Sequence, residues 1–242
     1  LCDLNAKVLK QKILLFTPPF TQLNTPYPAT AYLKGFLNTQ GIESLQVDLG
    51  IEVINRLFSK RGFEQLFALT TPHAAGFSEN CKRIFALREE YTSVVDPVIQ
   101  FLQKKDDTLA HHICAGNYLP EASRFAQVEE LDWAFGTMGI QDKARHLSTL
   151  FLEDIADYIK ETIDPHFGFS RYAERLAESA SSFDPLFSEL QYEATFIDEL
   201  ALDILNQHIK TFAPTAIGMS IPFPGNLYSG LRCGQFIKNE YP

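Results

Sequence analysis

The chain has 242 residues, of which 45% are hydrophobic, enough for one or two domains with a buried core. Its formal net charge of −9 argues against a nucleic-acid partner, because binding to phosphates needs a basic surface. No apolar run reaches the ~18 residues of a membrane-spanning helix, so we expect no membrane partner. Four widely separated cysteines, with no Cys-x-x-Cys pair, are typical of reduced thiols in the cytoplasm.

The rest of the chain is organised around Lys12–Pro19, the stretch KILLFTPP. Ile13–Phe16 is an unbroken apolar run, which favours a strand buried on both faces, as in a parallel sheet covered by helices. Pro18 and Pro19 have no N–H to donate, so the strand must end there. The polar, proline-containing loop Phe20–Pro28 follows.

A helix is predicted over Ala29–Gln40, because apolar residues recur there at helical spacing and Gly41 suits its C-terminal end. A second strand, Ser44–Leu49, and a short helix, Ile51–Ser59, come next. Strand, helix, strand is the opening of a parallel α/β sheet, in which ligands bind at the carboxyl ends of the strands. The loop Pro19–Pro28 is therefore expected to line any site.

Between residues 60 and 191 the sequence shows no second α/β unit. The helical patterns in this region are Asn80–Ser93, Pro97–Lys104, Pro120–Phe135 and Gln141–Ile163. Asp96, Asp164 and Asp184 each precede a proline, which predicts a helix start with an N-cap carboxylate. We interpret residues 60–191 as a helical subdomain inserted into an α/β domain that is made of residues 1–59 and 192–242.

The sheet pattern returns with a helix at Glu193–Lys210, a third strand at Thr215–Ile221 and a helix at Asn226–Asn239. Right-handed crossovers give the strand order 2-1-3. The predicted fold is α/β: a Rossmann-like or flavodoxin-like parallel sheet of three strands with a large helical insertion. It is expected to be incomplete at its C-terminus, where the next strand would follow. The third strand would then be an exposed, apolar edge strand with no charged side chain to prevent pairing with another strand, which favours self-association.

Two segments of the chain resemble a known domain, the N-terminal cobalamin-binding-like domain of radical S-adenosylmethionine proteins. The group includes the anaerobic magnesium-protoporphyrin monomethyl ester cyclase. The matching residues are Pro18, Pro19 and Pro28 in the first loop, Gly41, Val47-Asp48-Leu49 after the second strand, and Gly218-Met219-Ser220 in the third. The resemblance covers roughly the first 57 and the last 50 residues.

This resemblance implies a corrinoid held over the substrate of a downstream radical domain, for methyl transfer or a related C–H functionalisation. The first loop lacks the histidine with which many cobalamin domains bind cobalt, so cobalamin would bind here without that ligand. The cluster motif Cys-x-x-x-Cys-x-x-Cys is also absent. S-adenosylmethionine and the [4Fe–4S] cluster are therefore expected in a downstream part, whose radical domain is the expected partner. The chain itself is expected to be non-catalytic.

The candidate cofactor-binding residues flank the ends of the first and third strands. They are Pro18, Pro19, Phe20, Tyr27, Ser220, Ile221, Pro222, Phe223 and Gly225. Phe20 and Tyr27 are candidates to pack on a flat macrocycle, and the Ser220 hydroxyl and the loop amides are candidates to meet a nucleotide tail.

No metal-binding residue is predicted. His111 and His112 are adjacent, so on a helix they point about 100° apart, which argues against a shared metal. Two alternatives to the corrinoid domain stay open. One is a cobalamin-free docking module in the same kind of protein. The other is a flavodoxin-like or glycosyltransferase-like α/β domain with an unrelated small ligand.

Overall fold

The computed structural model describes residues 11–20, 27–70, 76–127, 139–169 and 182–242. The elements, in chain order, are β1 Lys12–Thr17, α1 Ala29–Thr39, β2 Glu43–Asp48, α2 Leu49–Leu57, α3 Lys60–Ala68, α4 Glu79–Ala86, α5 Arg88–Leu102, α6 Leu109–Cys114, a 3₁₀ helix Ser123–Gln127, α7 Gly139–Thr162, α8 Asp184–Glu189, α9 Phe196–Phe212, β3 Ala216–Met219, a 3₁₀ helix Pro224–Asn226 and α10 Leu227–Glu240. Within these ranges, no helix combines the length and apolar character needed to cross a membrane.

The chain forms two compact units. The first consists of Leu1–Val53 and Phe169–Pro242, and the second is Ile54–Gly168. The sequence analysis places the helical insertion at residues 60–191. The three described strands belong to the first unit, and the helices α3 to α7 belong to the second.

The first unit is built on a parallel sheet in the order β2-β1-β3, which confirms the predicted fold class. In register, Leu14 of the central strand β1 lies opposite Leu45 of β2 and Ile217 of β3. The β1 side chains from Leu14 onward are buried, as its unbroken apolar run predicts. The strand ends directly before Pro18, which has no N–H for the ladder.

A buried polar cluster joins α8, α9 and α10 in the first unit. Asp198 forms a capping box with Thr195 at the start of α9 and also accepts a hydrogen bond from the Tyr228 hydroxyl, at 2.9 Å. Arg232 of α10 donates to the same hydroxyl oxygen, at 2.7 Å, and lies 3.4 Å from the Asp198 carboxylate. It also donates to the carbonyl oxygen of Glu189, the last residue of α8, and to those of Leu190 and Tyr192, which follow that helix. One guanidinium therefore holds three helices together.

The second unit has an aromatic core. Phe151 of α7 stacks on Tyr91 of α5 with ring centroids 5.2 Å apart, and on Phe63 of α3 at 6.4 Å. Tyr158, two turns further along α7, contacts Phe67 of α3 at 5.3 Å. The long amphipathic pattern predicted over Gln141–Ile163 is thus confirmed as a core helix.

A second buried carboxylate lies beside this core. Asp154 of α7 is 0% exposed and accepts hydrogen bonds from the Tyr91 hydroxyl and from the backbone N–H groups of Ala122 and Arg124. The Arg124 side chain also pairs with Asp157 at 2.7 Å. These contacts fasten the 3₁₀ segment to α7. This segment is what the structure describes of the helix predicted over residues 120–135; residues 128–138 lie outside the described ranges.

The helix start predicted at Asp96-Pro97 is wrong. Pro97 lies inside α5, which is continuous from Arg88 to Leu102. A proline in a helix interior costs about 3 kcal/mol, and burial of apolar side chains on one face of α5 outweighs that cost. The Asp96 carboxylate accepts instead from the backbone N–H of Lys60, at 2.9 Å, and so caps the start of α3.

The two other Asp-Pro pairs behave differently from each other. Asp164 is 0% exposed and accepts from the N–H of His166 in a turn, and no helix follows it up to residue 169, so this predicted helix start is also wrong. α8 does begin at Asp184 with Pro185 in its first turn, so this predicted helix start is confirmed. The predicted Asp184 cap is wrong, because the N-cap position is Phe183 and no side chain caps this helix. A side chain that caps a local helix and one that bridges to a distant segment look alike in sequence.

Candidate functional site

The carboxyl ends of the three strands meet at one edge of the sheet in the first unit, because the strands are parallel. β1 is followed by Pro18, Pro19 and Phe20, and all three residues are buried. Phe20 is 1% exposed, so its ring is part of the core in this structure. The turn after β1 is therefore packed into the structure and restricted by its two prolines. It forms a wall at this edge of the sheet and does not offer an open contact surface.

β3 continues its pairing with β1 for one residue beyond the strand. The N–H of Ser220 donates to the carbonyl oxygen of Phe16, at 2.9 Å. Ile221 is turned toward α10: a Cβ added at Gly230 would lie 2.6 Å from Ile221 Cδ1, so α10 approaches closely only because residue 230 is glycine. Ile221 thus supports the helix, and Ser220, next to it, is partly exposed.

Asn226 closes the gap between the end of β1 and the start of α10. It is 0% exposed, and its Nδ2 donates to the carbonyl oxygen of Pro18, at 2.9 Å. Its Oδ1 is buried without a hydrogen-bond partner. The sequence analysis places this residue only as the start of the predicted helix Asn226–Asn239, a position at which asparagine is a common cap. Here it makes no side-chain cap bond to α10.

Two of the predicted site residues come into direct contact. The rings of Tyr27 and Phe223 pack edge to face, with centroids 5.7 Å apart and planes at 72°. Phe223 is 52% exposed, and Tyr27 is partly exposed. Pro222, also partly exposed, precedes Phe223. We call Tyr27, Ser220, Pro222 and Phe223 the carboxyl-edge patch.

The patch therefore contains four of the nine predicted residues. The other five are the buried Pro18, Pro19, Phe20 and Gly225, and Ile221, which packs on α10. Chemically, the patch offers the exposed ring of Phe223, the hydroxyls of Tyr27 and Ser220 and a proline ring. Such a surface can bind a flat, largely apolar group, and its side chains include no carboxylate, imidazole or amine.

Asp48 adds an ionisable group at the end of β2. Its Oδ1 accepts from the backbone N–H of Ile51, at 3.1 Å, and so caps α2, which begins directly after the strand. Burial raises the pKa of the Asp48 carboxyl above its ordinary value, and the backbone N–H groups of Ile51 and Gly50 oppose that shift. In register, Asp48 lies opposite Thr17, the last residue of β1.

The thiols and imidazoles lie elsewhere in the chain. Cys81, Cys114 and Cys233 are free, and burial raises the pKa of the Cys81 and Cys233 thiols to about 12. His111 and His112 are exposed on the short helix α6. Over the ranges that the structure describes, no three His, Cys, Asp or Glu side chains are grouped closely enough to hold a metal ion.

Comparison of the chain with protein-family models, with curated proteins and with solved structures finds no match.

Proposed function

We propose that this chain is a cobalamin-domain-like α/β module that holds a corrinoid against its carboxyl-edge patch, without a histidine ligand to cobalt. The corrinoid would supply cobalt chemistry to a radical S-adenosylmethionine domain of the same protein, where the [4Fe–4S] cluster would also lie. The proposal rests on the resemblance of the two strand-bearing segments and on one structural observation. That observation is the half-exposed Phe223 ring, supported edge-on by Tyr27 at the carboxyl edge of a 2-1-3 parallel sheet.

The patch fits the flat part of a corrinoid. A ring held edge-on by a neighbour loses little freedom when a planar ligand stacks on it, which reduces the entropic cost of binding. Ser220, two positions before Pro222, is partly exposed, and its hydroxyl can donate or accept a hydrogen bond at the margin of such a ligand.

An inserted nucleotide tail fits less well. It would have to pass between the end of β1 and the start of α10, where the buried Asn226 already bridges to Pro18. Phe20, a candidate macrocycle contact, is enclosed on the same side. We therefore propose that the corrinoid binds weakly, by its face rather than by a buried tail.

Titration with hydroxocobalamin, followed by its visible spectrum, tests this proposal. We expect weak binding with no histidine-ligated spectrum. Phe223→Ala removes the exposed ring, and we expect affinity to fall by about five- to thirtyfold, since a half-exposed ring in a stacking contact contributes about 1–2 kcal/mol.

The matched control is Phe187→Ala. Phe187 of α8 is 53% exposed and also belongs to a ring pair, with Phe183 at 6.1 Å, but neither ring is part of the carboxyl-edge patch. This variant should bind as the wild type does. Equal losses in both variants would mean non-specific adsorption and refute the site, and a histidine-ligated spectrum would refute the proposed mode of binding.

The second candidate is a docking module that binds no corrinoid. The Asn226–Pro18 bridge favours it, because it closes the sheet edge without any ligand. Absence of corrinoid binding by the wild type, with a folded chain shown by circular dichroism, would support this candidate and refute the first.

A further inference from the structure

The outward face of α1 is apolar and uncharged. Thr30 faces the sheet, where its hydroxyl oxygen accepts from Gln46 Nε2 of β2, at 3.0 Å. The opposite face carries only exposed residues without charge: Ala31, Tyr32, Gly35, Phe36 and Thr39. Surface helices usually place charged residues on this face, and Lys34 is the only charged residue of α1.

We propose that this face docks on the same face of a second copy of the chain. The exposed residues form two rows at i, i+4 spacing, a small row (Ala31, Gly35 and Thr39) and a ring row (Tyr32 and Phe36). In an antiparallel pair, a two-fold axis at the level between residues 33 and 34 sets Tyr32 against Gly35 of the second copy. The same axis sets Phe36 against Ala31.

Each ring row therefore meets a small row, as ridges pack into grooves, and the match is reciprocal as two-fold symmetry requires. The space above Gly35 is open, since a Cβ added there would meet no atom within 4 Å. This face is therefore complementary to itself: about the two-fold axis, the ring row of each copy lies on the small row of the other. We infer from this match that the occupant is a second copy, because binding an unrelated partner would not require it.

The apolar area that the two helices can bury determines how strong the dimer is. With Tyr32 77% and Phe36 62% exposed, the two rings offer about 280 Å² per copy, or about 560 Å² for the pair. Leu33, 49% exposed, and the small residues add to this area. Stable interfaces bury about 1,200–2,000 Å², and smaller ones are transient. The dimer is therefore weak and depends on concentration.

Net charge modulates the same contact. Two chains of formal charge −9 repel each other at low ionic strength, while the contact face itself carries no like charges. Association should consequently strengthen with added salt, which distinguishes it from pairing through surface ion pairs.

Sedimentation of the full 242-residue chain over about a hundredfold concentration range tests the proposal. The wild type should show a rising average mass. Gly35→Gln fills the space that the opposing ring would occupy and improves helix propensity, and its Cβ would meet no atom of the monomer within 4 Å. We expect it to weaken the dimer about tenfold or more while circular dichroism stays unchanged.

The matched control is Gly234→Gln, a glycine of α10 whose added Cβ also meets no atom within 4 Å. It should self-associate as the wild type does. A wild type that stays monomeric, or a Gly35→Gln variant that associates normally, would overturn the proposal. Loss of the dimer in Gly234→Gln would place the contact on α10 instead.

A mixing experiment tests the register. Gly35→Glu and Tyr32→Lys should each be monomeric alone, since one blocks the seat and the other removes the ring. Mixed, they form one native Tyr32–Gly35 contact and one ion pair across the axis, so a heterodimer should appear. A mixture that stays monomeric would refute the proposed two-fold axis.

Discussion

Replacing Arg232 by methionine tests whether one buried guanidinium holds α8, α9 and α10 together. Methionine keeps most of the side-chain volume and the apolar stem, so the change removes the charge and its hydrogen bonds with little loss of packing. The Asp198 carboxylate would then keep the Tyr228 hydroxyl and the Thr195 N–H as donors. Burial raises the pKa of Tyr228, so that hydroxyl stays protonated and keeps donating.

The magnitude follows from burial. The Arg232 and Asp198 side chains are only 10% and 3% exposed. Removing one partner of a buried ion pair costs about 3–5 kcal/mol. The exposed pair of Lys82 and Glu79, with side chains 47% and 91% exposed, is worth only about 0.2–0.5 kcal/mol. Lys82→Met is therefore the control, because it also replaces a paired cation by methionine, but in a pair that is exposed.

The assay must resolve the two compact units, because a single melting curve assumes one cooperative transition. Native-state hydrogen exchange reads α9 and α10 directly. A loss of 3–5 kcal/mol accelerates exchange there by about a hundred- to a few thousandfold, while α7 of the second unit should be unaffected. Adding Asp198→Asn to Arg232→Met should recover part of the loss, because the isolated buried charge is removed. A loss no larger than that of Lys82→Met would refute the reasoning.

Two further predictions concern the buried polar groups of each unit. Asp154→Asn should destabilise the second unit by about 1–3 kcal/mol, because one amide nitrogen must face a backbone or hydroxyl donor. Burial raises the pKa of Asp154 above 3.8, so the folded unit binds this proton more tightly than the unfolded chain does. The difference in unfolding free energy between wild type and variant should therefore be largest below pH 3.8 and should decline as pH rises through the raised pKa. Urea titrations at several pH values would measure it. Asn226→Ala should leave the Pro18 carbonyl without its donor and cost about 1–3 kcal/mol, seen as faster exchange at the start of α10; unchanged exchange would contradict the bridging role.

The sheet could be predicted because its signals are local. The apolar run before Pro18 specifies a buried strand and its end, and the positive φ of Gly41, at 67°, ends α1 where the sequence places it. The strand order then follows from the handedness of crossovers alone. None of these inferences depends on the tertiary contacts of a particular side chain.

Two helix starts predicted in the second unit are wrong, because the hydrogen bonds of an aspartate before a proline depend on the partner that the fold brings to it. Asp96 and Asp164 carry the pattern of an N-cap, yet one accepts from Lys60 on another helix and the other closes a turn. The sequence analysis names no helix over α3, although the Ser59 side chain caps that helix by accepting a hydrogen bond from the Gly62 N–H. An Asp-Pro pair therefore does not by itself distinguish a helix cap from a turn or from a contact with another helix.

The same limit explains the site. The positions of Tyr27 and Phe223 after adjacent strands bring their rings together as parallel topology requires. Phe20 belongs to the same loops but is buried, since a ring next to a packed proline turn lowers its free energy by entering the core. Residue type and strand-end position predict the edge, whereas the rotation of each side chain depends on packing.

The two proposals use separate parts of one segment and can fail separately. Tyr27 precedes α1 by two residues and faces Phe223, whereas Gly35 lies roughly 9 Å along the helix axis from its first residue, on the outward face. Thr30 and its bond to Gln46 hold the inner face of α1 on the sheet in either case. A substitution at Gly35 therefore changes what α1 can dock on without moving the ring pair. Weak corrinoid binding and weak self-association can thus be measured in the same chain as independent properties.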